Sequence, residues 1–295
     1  MEKLHNTEPI FIPFTSDYGF KVTFGNESNT VFLKRALQAL INSPIPIRSI
    51  TFDRTTFEGK TRESRSGIYD IICNDEADNH FIVEMQVADF KYFFQRMKFY
   101  GWQKFNTLVK KGDFNYSNLN RIYSIGILAN NITNHVKYHN ISCIKNQDND
   151  IVDDQTIYVT VELDKFHKLA ENCQTDLDKL IYTMKTLHEV REPIQFPPFF
   201  TEEWLKIAIS ELDSRNMTPE QRMVYEITLS NNAIAMWQEK ERTDNAVAKG
   251  KAEEQLRIKK EAVIKALLKG YEFSEIADLL TVSIDFIKEV KAEIN

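Results

Sequence analysis

The spacing of apolar residues over roughly the first 130 positions predicts one helix, three strands, a second helix and a fourth strand. Residues 30–41 repeat apolar side chains every three or four positions, which indicates one buried helix face. Short segments rich in Ile, Val, Phe and Tyr, bounded by polar turns, indicate strands. The predicted helices span 30–41 and 89–110, and the predicted strands span 47–57, 68–73, 81–87 and 121–129. This order indicates an α/β protein in which helices pack on a sheet.

The second and third predicted strands form a hairpin that brings two carboxylates together. Polar residues 74–80 between them are turn material, and a hairpin centred near Ala77 places Asp70 directly across from Glu84. Because side chains alternate between the two faces of a strand, we expect Asp70 to share a face with Ile68 and Ile72.

Two acids placed in this way need a compensating charge. Directly opposed residues lie roughly 4.5 to 5.5 Å apart at Cβ, and like charges at that separation destabilise a sheet. A hard divalent cation such as Mg²⁺ binds carboxylate oxygens and would remove the repulsion. The alternative is a solvated sheet face that carries two acids without a ligand. Glu84 and Gln86 interrupt an otherwise apolar strand, which favours the metal site.

Composition and charge restrict the classes of protein that remain. A chain of 295 residues with 42% hydrophobic and 12% aromatic residues can bury a full core and is not disordered. The formal net charge of −6 excludes a protein that coats nucleic acid nonspecifically. Three irregularly spaced cysteines indicate reduced thiols, and no run of 18 apolar residues occurs. We therefore expect a cytoplasmic protein that makes no membrane contact.

Several short motifs surround the hairpin in a fixed order. In chain order they are Asp17, Phe20, Lys21, Phe24 and Gly25 of an Asp-x-x-Phe-Lys-x-x-Phe-Gly segment, Gly59-Lys60, Asp70, Glu84-Met85-Gln86, and Arg96 with Tyr100. Over about residues 10–130, these motifs resemble the PD-(D/E)XK nuclease superfamily, and within it the branch of recombination-promoting nucleases and transposases. The resemblance implies a restriction-endonuclease-like αβββαβ core with a mixed sheet, followed by a helical C-terminal region.

The resemblance also implies a chemistry for the hairpin, namely metal-dependent hydrolysis of phosphodiester bonds in DNA, linked to recombination or mobile elements. Asp70, Glu84 and Gln86 would be the catalytic residues. Asp70, Glu84 and the backbone carbonyl of Met85 would hold one Mg²⁺ or Mn²⁺. Gln86 replaces the lysine that is more usual in the superfamily. A neutral amide can orient a water molecule but cannot act as its general base.

Three residues outside the hairpin are candidates for an auxiliary role. Lys21 and Lys60 could supply the cation that the missing lysine would otherwise provide. Asp17 could be an outer metal ligand. A plain structural role, as the N-cap of a short helix, explains Asp17 equally well.

Basic residues on the helix after the hairpin are candidates for contact with DNA. Lys91 and Arg96 could bind backbone phosphates. Lys98 and Lys104 on the same helix are better explained as a solvated helix face.

The sequence beyond the hairpin region suggests three parts. We expect a nuclease-like core over 1–165, a helical extension packed on that core over 166–240, and a charged helix with a helix-turn-helix-like tail over 241–295. The last predicted helix has more acids than bases, which is unfavourable for meeting phosphates and favours packing or oligomerisation. The C-terminal helices are therefore a candidate homodimer contact.

Two functions are compatible with the sequence. The first is a Mg²⁺-dependent DNA endonuclease. The second is a catalytically inactive protein of the same fold that acts as a DNA- or protein-binding module. The presence of Asp70, Glu84 and Gln86 together favours the enzyme.

Overall fold

The helices and strands are those of a computed structural model that describes residues 10–57, 67–87, 92–109, 119–192 and 195–294. The strands are β1 (Ile50–Phe52), β2 (Thr56–Phe57), β3 (Gly67–Ile68), β4 (Ile71–Asp75), β5 (His80–Gln86), β6 (Ile122–Leu128), β7 (His139–Lys145) and β8 (Ile151–Glu162). The helices are α1 (Asp17–Phe24), α2 (Val31–Leu40), α3 (Phe93–Leu108), α4 (Asp176–Thr186), α5 (Glu203–Leu212), α6 (Pro219–Leu268), α7 (Phe273–Leu280) and α8 (Ile284–Ile294).

Six of these strands form one mixed sheet in the order β1-β4-β5-β6-β8-β7. The strands β1, β4 and β5 are antiparallel, β5, β6 and β8 are parallel, and β7 closes the edge antiparallel to β8. Helix α3 connects the parallel neighbours β5 and β6, as a crossover between parallel strands requires. The predicted α/β fold with an αβββαβ core, a mixed sheet and a helical C-terminal region is confirmed.

The two faces of the sheet are covered by different helices. The main core packs α1, α2, α4 and α5 against one face, where Cys73, Phe81 and Val83 point. On the opposite face, Ile72 and Ile82 pack with residues of α3. Helix α3 approaches this face closely at Gly126, because a Cβ atom there would lie 2.3 Å from Cζ of Phe93.

The C-terminal helices differ from the predicted division. The chain separates into two compact units, residues 1–225 and 226–295. The predicted boundary at residues 240 and 241 lies inside α6, which is one continuous helix. In the second unit, α6, α7 and α8 share a small apolar core formed by Val263, Ala266, Ile276, Ile287 and Val290. The predicted homodimer contact through these helices stays a prediction.

None of the helices in the described parts of the chain is both long and apolar enough to cross a membrane.

Candidate active site

Asp70 lies at a β-bulge, where β3 ends and β4 begins. Between the last β1–β4 pair and the first β2–β3 pair, three residues (53–55) lie opposite four (69–72). One extra residue on the strand that carries Asp70 is the defining feature of a bulge. Bulges are frequent beside active sites because they bend the strand and redirect a side chain.

This bulge corrects part of the sequence prediction. The predicted continuous strand over 68–73 is wrong, because residues 69 and 70 lie between β3 and β4, and β3 belongs to a separate two-stranded sheet. Ile68 and Ile72 therefore do not share one sheet face. Tyr69 and Ile72 pack instead in the same apolar cluster, which strict alternation does not allow. The alternation is therefore interrupted between Tyr69 and Ile72.

The predicted opposition of Asp70 and Glu84 is confirmed. The pairs Ile71 with Val83 and Ile72 with Ile82 set a register whose next position places Asp70 across from Glu84. The Asp70 N–H donates to Oε1 of Glu84 at 3.1 Å.

A second hydrogen bond completes this reciprocal arrangement. The N–H of Met85, the residue after Glu84, donates to Oδ2 of Asp70 at 3.0 Å. The carboxylate of Glu84 is thus held by the backbone of Asp70, and the carboxylate of Asp70 is held by the backbone of the residue after Glu84.

Burial makes two negative charges at this point unfavourable. Glu84 is only 3% exposed, and burial, followed by the neighbouring Asp70, raises the pKa of Glu84 to about 8. Burial also raises the pKa of Asp70. The Met85 N–H and the cations Lys21 and Arg96 oppose that rise by favouring the ionised form. Without a cation between the two acids, this pair resists full ionisation.

Gln86 and Arg96 adjoin the acid pair on the side of α3. Gln86 follows Glu84 by two residues on β5, so both side chains point to the same face. Nη2 of Arg96 donates to Oε1 of Gln86 at 2.8 Å and lies 3.4 Å from Oε2 of Glu84. The Arg96 guanidinium also lies over the ring of Phe93, 5.7 Å from its centroid. Arg96 therefore contacts two of the predicted site residues, while its predicted contact with DNA stays a prediction.

Comparison with known families agrees with this geometry. A family model described as PD-(D/E)XK nuclease family transposase matches residues 14–235. The chain belongs to this family. No curated protein and no solved structure matched in the corresponding searches. The match spans the sheet, helices α1–α5 and the start of α6, so the resemblance identified from the motifs is confirmed.

Helix α1 carries two of the predicted auxiliary residues. Asp17 and Lys21 form an ion pair at 2.9 Å, and both act electrostatically on the carboxyl of Asp70. Asp17 is not the N-cap. That position belongs to Ser16, whose hydroxyl oxygen accepts a hydrogen bond from the N–H of Gly19 at 3.0 Å. The structural alternative for Asp17 is therefore wrong, and the auxiliary roles of Asp17 and Lys21 stay predictions.

Two predicted residues, the auxiliary Lys60 and the DNA-contacting Lys91, fall outside the residues that the structure describes.

Lys104 differs from the prediction of a solvated lysine. Its side chain is 7% exposed, and its ammonium pairs with Oδ2 of Asp53 at 2.5 Å. Lys98, in contrast, is exposed as expected. Lys104 continues the buried series Phe93, Met97 and Gly101 of α3, so helical periodicity was the signal that could have placed it inward.

Within the described residues, no cluster of three or more His, Cys, Asp or Glu side chains is positioned to hold a metal ion. The acid pair can therefore offer an ion two carboxylates, supplemented by backbone oxygen and water.

Proposed function

We propose that this family member is a divalent-metal-dependent endonuclease that hydrolyses phosphodiester bonds of DNA, in recombination or on mobile elements. The observation that carries the proposal is the reciprocal pair of hydrogen bonds that holds Asp70 and Glu84 against each other at the edge of a buried hairpin. Membership of a nuclease family supports DNA as the substrate.

The donor groups at this site suit Mg²⁺ or Mn²⁺. Both ions accept carboxylate and carbonyl oxygens. Asp70 uses Oδ2 for the Met85 N–H, and Oδ1 receives no hydrogen bond from the part of the chain that is described. Asp70, Glu84 and the carbonyl of Met85 would hold the ion. Burial raises the pKa of both acids, and the charge of Asp70 adds to the rise at Glu84. A cation there would favour the ionised form of both carboxyl groups. When bound, the ion supplies a more acidic water and stabilises negative charge on the phosphate.

The remaining side chains supply hydrogen bonds and positive charge around the scissile phosphate. Gln86 can orient the attacking water or a phosphate oxygen through its amide, but it has no proton to exchange near neutral pH. The charge of Lys21 on α1 lowers the pKa of Asp70. Among the described residues, Lys21 is the auxiliary candidate that could supply positive charge to the phosphate. Asp17 holds Lys21 in an i,i+4 ion pair at the surface.

Plasmid cleavage tests the proposal. Supercoiled plasmid is incubated with wild type or Asp70→Asn in Mg²⁺, Mn²⁺ or EDTA, and nicked and linear products are separated on a gel. We expect metal-dependent cleavage by wild type and a loss of at least about 100-fold in Asp70→Asn. Asp164→Asn makes the same chemical change at an exposed acid and should cleave normally. Cleavage that persists in EDTA, or an active Asp70→Asn, would contradict the proposal.

The replacement of the usual lysine by Gln86 favours one second candidate, a catalytically inactive nuclease fold that binds DNA or a protein. DNA binding in Ca²⁺ without cleavage in Mg²⁺ or Mn²⁺ would indicate this binding module.

A further inference from the structure

The contact between Arg96 and Gln86 fixes which end of the Gln86 amide faces the site. A guanidinium group donates hydrogen bonds and accepts none, so the group that approaches Arg96 must be the amide oxygen. Oε1 of Gln86 lies 2.8 Å from Nη2 of Arg96. The NH₂ group of Gln86 is consequently directed away from Arg96, and it has no acceptor among the residues that the structure describes.

Arg96 is itself held in place by groups of the site. The same Nη2 atom lies 3.4 Å from Oε2 of Glu84, and the guanidinium plane lies over Phe93. The side chain of Arg96 is 27% exposed. An arginine fixed by a carboxylate, an amide oxygen and an aromatic ring is preorganised to orient its partners.

We propose that Arg96 is a positioning residue that makes Gln86 an obligate hydrogen-bond donor to an oxygen of the scissile phosphate. This inference rests on the proposed nuclease function. A glutamine without such a neighbour could present either its oxygen or its NH₂ group, and the oxygen would repel a phosphate. With Arg96 in place, Gln86 supplies the donor that a lysine would supply at the same position. This positioning role is distinct from the direct contact of Arg96 with backbone phosphates that the sequence suggested.

A double-mutant cycle separates these two roles of Arg96. Arg96→Met removes the orienting group, and we expect kcat for plasmid cleavage to fall roughly tenfold or more while KM changes little. Gln86→Lys places an ammonium beside the guanidinium and should also be impaired. In the double variant the lysine at position 86 carries its own donors and no longer meets Arg96, so its kcat should exceed that of either single variant.

Two results of this cycle would overturn the proposal. One is a double variant that is no faster than the slower single variant, which is the result expected if Arg96 only stabilises the fold. The other is an Arg96→Met effect confined to KM that grows with salt concentration, which is the result expected of a phosphate contact.

A measurement without metal or DNA tests the orientation directly. In protein labelled with ¹⁵N-glutamine, the NH₂ resonances of Gln86 are identified by their absence from Gln86→Glu. A hydrogen bond to the amide oxygen strengthens the partial double bond and slows rotation of the NH₂ group. We expect Arg96→Met to shift these resonances and speed that rotation, whereas Arg257→Met on exposed α6 should leave them unchanged.

The two tests fail in distinguishable ways. Unchanged Gln86 resonances in Arg96→Met refute the orienting role even if the protein is a nuclease. Wild-type protein without cleavage in Mg²⁺ or Mn²⁺ refutes the proposed function, on which the catalytic part of this inference depends.

Discussion

Glu84→Gln should remove a strong pH dependence from the unfolding free energy of the metal-free protein. Burial and Asp70 raise the pKa of Glu84 from its ordinary 4.5 to about 8 in the folded state. A raised pKa means that the folded protein binds this proton more tightly than the unfolded chain does. The associated stability is therefore fully present below about pH 4.5 and is lost as the pH rises through about 8. At about 1.4 kcal/mol for each pKa unit, the loss between about pH 5.5 and about pH 9 is roughly 3 kcal/mol.

Urea unfolding in EDTA at both pH values measures this loss, with the fluorescence of the buried Trp204 as the signal. Between the lower and the higher pH, the unfolding free energy of wild type should fall by roughly 3 kcal/mol more than that of Glu84→Gln. Parallel losses in the two proteins would refute the reasoning.

Glu162→Gln is the matched control, because Glu162 is a second buried glutamate whose pKa is shifted in the opposite direction from that of Glu84. Burial raises the pKa of Glu162, but hydrogen bonds from Lys165 and from Thr133 outweigh burial and lower it overall. A lowered pKa gives stability that is present above the ordinary value and is lost as the pH falls. Glu162→Gln should therefore destabilise the protein at both pH values and leave the loss at high pH as large as in wild type.

Three further predictions concern the surroundings of the acid pair. Asp53→Ala leaves the buried ammonium of Lys104 without its partner and should lower the unfolding free energy, measured by urea titration, by about 2 to 4 kcal/mol. Combining Asp53→Ala with Lys104→Met should recover part of this loss. Gly126→Ala forces a Cβ atom against Phe93 and should cost about 1 to 3 kcal/mol by the same assay, and a neutral effect would show that α3 does not pack this closely. Mg²⁺ at about 100 times its Kd should stabilise wild type by about 3 kcal/mol in thermal unfolding and should not stabilise Asp70→Asn. Equal stabilisation of the two proteins would show that the ion binds elsewhere.

The hairpin and its opposed acids could be predicted because two independent signals agree. The apolar pattern sets which residues pair, and the polar turn around Ala77 sets where the chain reverses, so the register that opposes Asp70 to Glu84 follows. Helices α2 and α3 and strands β5 and β6 were predictable for the same reason, since each is an apolar segment bounded by polar residues. Helix α1 was not predicted, and the predicted strand over 47–57 is divided into β1 and β2.

The bulge at Asp70 could not be predicted in this way. One extra residue in a strand leaves no mark in the apolar pattern, because its effect appears only when the facing segment, 53–55, is counted against 69–72. The partners of Arg96 were equally hidden. A long side chain on a helix can point to solvent or to the sheet, and packing against Phe93 and Gln86 decides between them.

The most direct test of the central claim is anomalous diffraction from crystals of wild-type protein grown with Mn²⁺. The two acids should share one ion, seen as a single anomalous peak within about 2.0 to 2.6 Å of carboxylate oxygens from both Asp70 and Glu84. The peak should be missing from crystals of Asp70→Asn. A peak at another site in a protein that cleaves DNA, with no ion between Asp70 and Glu84, would contradict the account.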